Sequence, residues 1–309
     1  MLVVLSADME GVSQLRNARE IAAMCPEYWR TGRPRFEADV AAACEGLLAG
    51  GATEVVVLDN HASGNPVNIS AESLPGGARL ETWNLFDVPE HAGMLQVGYH
   101  ARGGVDGFLS HTYVPGLRLR CAGERISESH GRAWAARTRL IGIVGNDRHR
   151  DTIGSLSDTP FLVVQESRDG GSTPVAGTDE IRSFAEECAR NLADVAPVDV
   201  PRDVELEASL PNGADVEETM LSGGWSRVGD VEYSVHLSDW AGARAPLDAA
   251  VFAAFTPLLR VWSDELTSEE RANAYEADKR AWLGDFVDTW ARTPEPEWFT
   301  VPAALFGRY

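Results

Sequence analysis

Apolar positions over residues 1–198 alternate between short continuous runs and runs at helical spacing. Leu2–Ala7 is an uninterrupted run rich in leucine and valine, the pattern of a strand buried on both faces. From Phe36 the apolar residues Val40, Ala43, Cys44, Leu47 and Leu48 recur at helical intervals until Gly50-Gly51, which predicts a helix stopped by glycine. Thr53–Leu58 follows as a second strand and completes a strand–helix–strand unit. Further strands are predicted at 93–99, 140–145 and 161–165, with a helix over 128–139 between the first two. Thr178 is placed to cap a helix with the apolar face Ile181, Phe184, Ala185, Cys188, Leu192 and Val195, and Asp179 and Glu180 lie near its positive end. This alternation predicts an α/β fold for residues 1–198, a sheet of mostly parallel strands covered by helices.

Prolines at 197 and 201 predict a linker, after which residues 199–263 form a smaller C-terminal α+β unit. Val204–Leu210 and Val231–Leu237 alternate as strands, the second with Val231, Tyr233, Val235 and Leu237 on one face. Leu247, Val251, Phe255, Leu258, Leu259 and Trp262 mark an amphipathic helix that Pro257 is expected to kink. Residues 264–309 read as a helical extension, charged yet carrying Tyr275, Trp282, Phe286 and Trp290. Six of the nine tryptophans lie between Trp225 and Trp298, so this end of the chain is expected to pack on the main domain or on another subunit.

Composition narrows the chemistry. The 309 residues suffice for a full core, and 47 acids against 27 Lys and Arg give a net charge of −20, which argues against nucleic acid and anionic membrane partners. Lys279 is the single lysine and sits in a charged, helix-like stretch, so neither Schiff-base chemistry nor a phosphate-binding loop has its lysine in context. Cys25, Cys44, Cys121 and Cys188 form no Cys-x-x-Cys pair and read as buried thiols. No apolar run is long enough to span a bilayer, and the N-terminus lacks the basic region of a signal peptide, so a cytoplasmic location is expected. The signatures of serine hydrolases, common zincins and dinucleotide-binding folds are absent.

What remains is a set of carboxylates and histidines at predicted strand ends. Asp8 and Glu10 follow the first strand, two residues apart and so facing one side; alone they also fit a capping Asp and a solvated Glu. His61 ends the second strand in Asp59-Asn60-His61, His100 the third in Gly98-Tyr99-His100, and His111 follows the apolar stretch 105–109. Glu128 opens a helix that Ser127 can cap, where an acid also suits the helix dipole. A doubly wound sheet gathers these turns at one edge. Carboxylate and imidazole donors without thiolate suit catalytic Zn²⁺, or Mn²⁺, Fe²⁺ or Ni²⁺, and five donors fit two metals about 3.5 Å apart sharing a water.

Together the runs Ala-Asp-Met-Glu-Gly-Val at 7–12, Asp-Asn-His at 59–61, Gly-Tyr-His-Ala-Arg at 98–102, Ser-His at 110–111 and Val-Gly-Asn-Asp-Arg at 144–148 resemble the bacterial zinc-dependent D-aminopeptidases, in order and over residues 1 to about 262. The resemblance implies two Zn²⁺ held by Asp8, Glu10, His61, His100 and Glu128, His111 as the catalytic histidine, a short peptide with an N-terminal D-residue as substrate, and a homo-oligomer. Around Glu128 this chain departs from the family's usual Gly-Glu-Leu-Gly-Leu-Asn-Ala, reading Ser-Glu-Ser-His-Gly-Arg-Ala. His130 and Arg132 are therefore, with Arg102, candidates for binding a substrate carboxylate or carbonyl. That departure also admits an amidase or lactam hydrolase acting on a non-peptide small molecule, and a silent peptide-binding or assembly subunit is a further alternative. His91, His149 and His236 read as surface residues, and Asp147 as support for a histidine.

Overall fold

A computed structural model of the chain describes residues 1–23, 25–61, 68–82, 84–168, 170–210, 216–263, 285–289 and 291–292. Its strands are β1 (Leu2–Ala7), β2 (Glu54–Asp59), β3 (Ala78–Glu81), β4 (Gly93–Tyr99), β5 (Arg118–Cys121), β6 (Glu124–Arg125), β7 (Arg139–Asn146), β8 (Phe161–Arg168), β9 (Gly171–Pro174), β10 (Arg202–Ser209), β11 (Ser226–Arg227) and β12 (Glu232–Asp239). The α-helices are α1 (Pro26–Ala49), α2 (Glu128–Ala136), α3 (Asp147–Arg150), α4 (Thr178–Arg190), α5 (Glu217–Ser222) and α6 (Arg244–Ser263). The main sheet runs β3-β2-β1-β4-β7-β8-β9, parallel throughout except for β9, which returns antiparallel along β8.

Alternation along β1 explains how both faces are used. Val3 and Leu5 point into a core with Phe36, Val40 and Leu47 of α1 and Ile181 and Ala185 of α4. Val4 points the other way, into a core with Trp134 of α2, Leu206 and Tyr233 of a second sheet, and Trp240. Each fully buried aliphatic side chain contributes about 1.5–3 kcal/mol, which is why the valine-rich runs set the sheet centre.

The second sheet is antiparallel, in the order β11-β12-β10-β5-β6. It pairs β10 with β5, so its strands come from both sides of the 196–201 linker, and the sequence boundary at 198 does not divide them. Three helix boundaries also differ from expectation. α1 begins ten residues before Phe36 and carries Pro34 inside it. α2 ends where Arg137 adopts a left-handed φ of 48°. α4 starts at Thr178 with Gly177 as its cap, whose N–H donates to Glu180 Oε2 at 2.9 Å.

Beyond α6, residues 285–289 and 291–292 are helical, with Val287 and Ala291 buried in the α1-side core and Asp288 gripped by Arg19 at 2.8 Å. The rest of the expected 264–309 extension, with Lys279, Tyr275, Trp282, Trp290 and Trp298, lies outside the described residues. Among the described residues no helix is long and apolar enough to cross a membrane, and all four cysteines are free and buried.

A buried acid ties α1 to the loop after β1. Asp39 accepts from the Ser13 backbone N–H at 2.6 Å and its hydroxyl at 2.7 Å, and burial pushes its carboxyl up to about 6 against these donors. A folded-state value above the unfolded one means that stability is full below about pH 4 and falls as pH rises through 6, by about 3 kcal/mol. Asp39→Asn keeps one acceptor for the Ser13 amide and removes the charge. The variant is expected to lose this pH dependence and to gain up to about 3 kcal/mol at pH 7.5. Urea unfolding of both proteins at pH 4 and 7.5 checks it; equal pH slopes would contradict the assignment.

Candidate metal centre

Asp8 and Glu10 leave the end of β1, His61 the end of β2 and His100 the end of β4. Because β1 lies between β2 and β4, these ends emerge side by side at the carboxyl edge of the sheet, where the strand order changes direction. The fit between β1 and β4 is close: Asp8 N–H donates to Val97 O at 2.8 Å and Gly11 N–H to Gly98 O at 2.7 Å. His111 arrives on the loop after β4, where its N–H donates to Ala101 O at 3.0 Å and turns the chain back. Its ring then stacks on His100 with centroids 3.8 Å apart. Glu128 enters from the first turn of α2.

All six side chains are buried, and each histidine is held by its far nitrogen. His61 Nε2 donates to Ile21 O at 2.7 Å, His100 Nδ1 to Ala101 O at 3.0 Å and His111 Nδ1 to Leu109 O at 2.9 Å. A carbonyl only accepts, so in the neutral ring the opposite nitrogen is left as a lone pair. For His61 that nitrogen, Nδ1, lies 3.3 Å from Glu10 Oε2 and 3.6 Å from Asp8 Oδ1. For His100 it is Nε2, 3.1 Å from Asp8 Oδ2 and 3.9 Å from Glu128 Oε2. Donor atoms of Asp8, Glu10 and His100 lie within 4.8 Å of one another, as do those of His100, His111 and Glu128.

The chemistry of this donor set fits a cation. Asp8 Oδ2 and His100 Nε2 are buried and face each other outside hydrogen-bonding alignment, as two ligands of one ion would. A backbone carbonyl on the far nitrogen is the usual support of a metal-binding histidine. With carboxylates and imidazoles alone, protons partly take the cation's place. Burial opposes charging His61, but Glu10 and Asp8 outweigh it and hold the imidazole well above its usual range. Burial likewise opposes charging His100, yet Asp8 raises it to about 9. Burial and the charge of Asp8 together raise Glu10, whereas the two histidines overcome burial at Asp8 and hold it low. Burial and His100 push His111 well below the usual histidine range.

Arg132 lies against Glu128, donating from Nε to Oε1 at 2.6 Å and from a second guanidinium nitrogen to the same oxygen. Its third nitrogen donates to Asn60 Oδ1 at 2.7 Å. His130 is turned away from the cluster: its Nδ1 accepts from the Ser127 hydroxyl at 2.8 Å and amide at 3.2 Å, capping α2, and its ring also bonds the Ile153 backbone. Its Nδ1 therefore serves the helix cap. Arg102, half-buried in the loop between His100 and His111, has no carboxylate partner among the described residues.

Other polar residues depart from the sequence reading. His149 is fully buried, its Nε2 2.7 Å from Ser129 Oγ and its ring bonded to the His100 backbone, so it is not a surface residue. Asp147 accepts from Ser167 N–H at 2.8 Å and, among the described residues, bonds no histidine. His91 and His236 are exposed. Three supports were not singled out in the sequence. Asn60 links Arg132 to Ser6, Gln165 donates to Glu10 O and Val12 O, and the Tyr113 amide donates to Glu128 Oε2 at 3.1 Å. Gln165 carried a readable sign, a polar residue closing the apolar run that starts at Phe161.

The chain is similar to known proteins along most of its length. The Peptidase_M55 family model, described as D-aminopeptidase, matches residues 1–247. A D-aminopeptidase of Bacillus subtilis (strain 168) is 31% identical over 203 residues, and the match covers 63% of this chain and 63% of that protein, a little under two thirds of its length. A solved structure, the Zn-dependent D-aminopeptidase DppA from Bacillus subtilis, a self-compartmentalizing protease, superposes with a TM-score of 0.72 at 21% identity, covering 82% of this chain and 98% of the other.

Proposed function

Because the chain belongs to the D-aminopeptidase family, we propose that it is a zinc-dependent hydrolase that removes an N-terminal D-residue from short peptides. The observation that carries this reading is the common anchoring of three imidazoles on backbone carbonyls beside a cluster of buried carboxylates, with the other nitrogens of His61 and His100 facing Asp8, Glu10 and Glu128. Asp8, Glu10, His61, His100 and Glu128 are the residues that would hold zinc, with donors for two ions. When bound, zinc would acidify a water to near neutrality and polarise the scissile carbonyl. His111 supplies the proton step: with Nδ1–H committed to Leu109 O, its Nε2 accepts a proton and then returns it to the departing amine. Arg102, which has no carboxylate partner among the described residues, is read as the group that receives the peptide's terminal carboxylate. By likeness to the self-compartmentalizing relative, the chain is read as a homo-oligomer; a monomer by light scattering would remove that part. The free buried thiols support a reducing, cytoplasmic location, testable by cell fractionation.

One set of assays tests the reading. Purified protein is expected to carry about one to two equivalents of zinc, and chelation followed by zinc addition to abolish and restore hydrolysis. D-Ala-D-Ala is expected to be cleaved in preference to L-Ala-L-Ala, simple amides and lactams. Amidation of its C-terminus is expected to raise KM in the native protein and to leave KM unchanged in Arg102→Met. Full activity in metal-free protein, or preference for a lactam, would overturn the proposal.

A further inference from the structure

Glu128 differs from the other carboxylates of the centre in being paired with a guanidinium, a cation that does not give up its charge. Arg132 grips Oε1 with two nitrogens, the nearer at 2.6 Å, while the Tyr113 amide holds Oε2 at 3.1 Å. The guanidinium is fixed from its other side by Asn60 at 2.7 Å, and Asn60 in turn donates to Ser6 Oγ at 2.7 Å. The Tyr113 ring lies against the guanidinium, 5.3 Å from its centroid, and only 13% of the Arg132 side chain is exposed. Neither partner can swing out to water without leaving a buried charge behind, which is costly.

From this arrangement, and resting on the metal-centre reading above, we infer that Arg132 is a built-in counter-cation that makes the centre hold one divalent ion tightly and a second one weakly. The charge balance decides it. Asp8, Glu10 and Glu128 are all buried, and with Arg132 among them two negative charges remain, the complement of one divalent ion. Asp8 and Glu10, with His61 Nδ1 beside both, form the half that Arg132 does not touch, and this half takes the tight ion. The half made by His100 and Glu128 takes the second ion, against a guanidinium that already occupies one carboxylate oxygen. Like charges a few ångströms apart repel strongly even at an effective dielectric near 20. The weak ion would make activity follow free zinc in a range where the tight site is already full.

Metal-free protein titrated with Zn²⁺ by calorimetry, beside elemental analysis after gel filtration in metal-free buffer, tests this without reference to activity. Native protein is expected to bind in two steps, the second at least about 100-fold weaker, and to retain about one equivalent through the column. Arg132→Met, which removes the charge and keeps the bulk, is expected to retain about two; Arg132→Lys, which keeps the charge, about one. Native protein binding two ions with affinities within tenfold, or Arg132→Met matching native stoichiometry, overturns the inference while leaving the metal centre standing. Should Arg132→Met not fold, the two-step titration of the native protein decides alone. No zinc binding by the native protein would remove the metal centre and the inference together.

Discussion

His61→Ala is expected to strip the protein of its tightly held zinc and to lower kcat/KM on D-Ala-D-Ala by at least about 10²–10³-fold, the scale of losing one group that stabilises transition-state charge. Contacts at both ring nitrogens and on the ring itself make this residue hard to replace. Nδ1 stands 3.3 Å from Glu10 and 3.6 Å from Asp8, so truncation removes the imidazole that these two buried carboxylates share. Nε2 fastens the Ile21 carbonyl, and the ring sits between Trp29, stacked at 6.4 Å, and the edge of Phe36. The tie therefore joins the centre to the loop before α1. His111→Ala gives the contrast: it is expected to keep the tight ion and to lose kcat. Elemental analysis beside steady-state kinetics checks both variants. A zinc-replete His61→Ala protein with near-native kinetics would show that His61 is no ligand.

The two histidines that sequence reasoning misplaced, His130 and His149, show where a one-dimensional reading stops. Strand ends were legible because β1, β2 and β4 are buried on both faces and so appear as apolar runs, and their next polar residues, Asp8, Glu10, His61 and His100, necessarily fall at one edge. His130 instead takes the place of an acid three residues after the Ser127 cap, and its role depends on a tautomer set by hydrogen bonds. His149 follows a helix cap at Asn146 and looks solvated in sequence, yet α2 and the back of His100 close over it. β5 and β6 were illegible for another reason. Arg118, Arg120 and Arg125 dominate them, and the pairing of β5 with β10, some eighty residues later, and of β6 with β5 makes them strands. The first ten residues of α1, Pro26–Arg35, include two prolines and a glycine, so only the apolar run from Phe36 is legible as helix. Arg132 was seen as a substrate group. Its spacing of four from Glu128, a helical contact pair, was the sign that it would turn inward.

Gly98→Ala is expected to destabilise the protein by about 4 kcal/mol or more and to abolish zinc retention in whatever folds. Gly98 adopts a φ of +80°, and a Cβ there would meet Asp8 O at 1.8 Å and Asp8 C at 2.7 Å, both backbone atoms that cannot rotate away. Relief requires β1 and β4 to separate, which breaks the bonds from Asp8 N–H to Val97 O and from Gly11 N–H to Gly98 O and moves two ligands apart. A second glycine separates the two causes of damage. Gly123, in the β5–β6 turn, has nearly the same φ, +79°, with nothing within 4 Å of its Cβ position. Gly123→Ala therefore carries the left-handed strain alone, about 1–2 kcal/mol, with zinc retained. Denaturant unfolding and elemental analysis of the pair measure the difference. Equal losses would mean that backbone conformation, and not the close passage of β1 against β4, sets the cost at Gly98; a larger loss at Gly98 with zinc gone ties the metal centre to that passage.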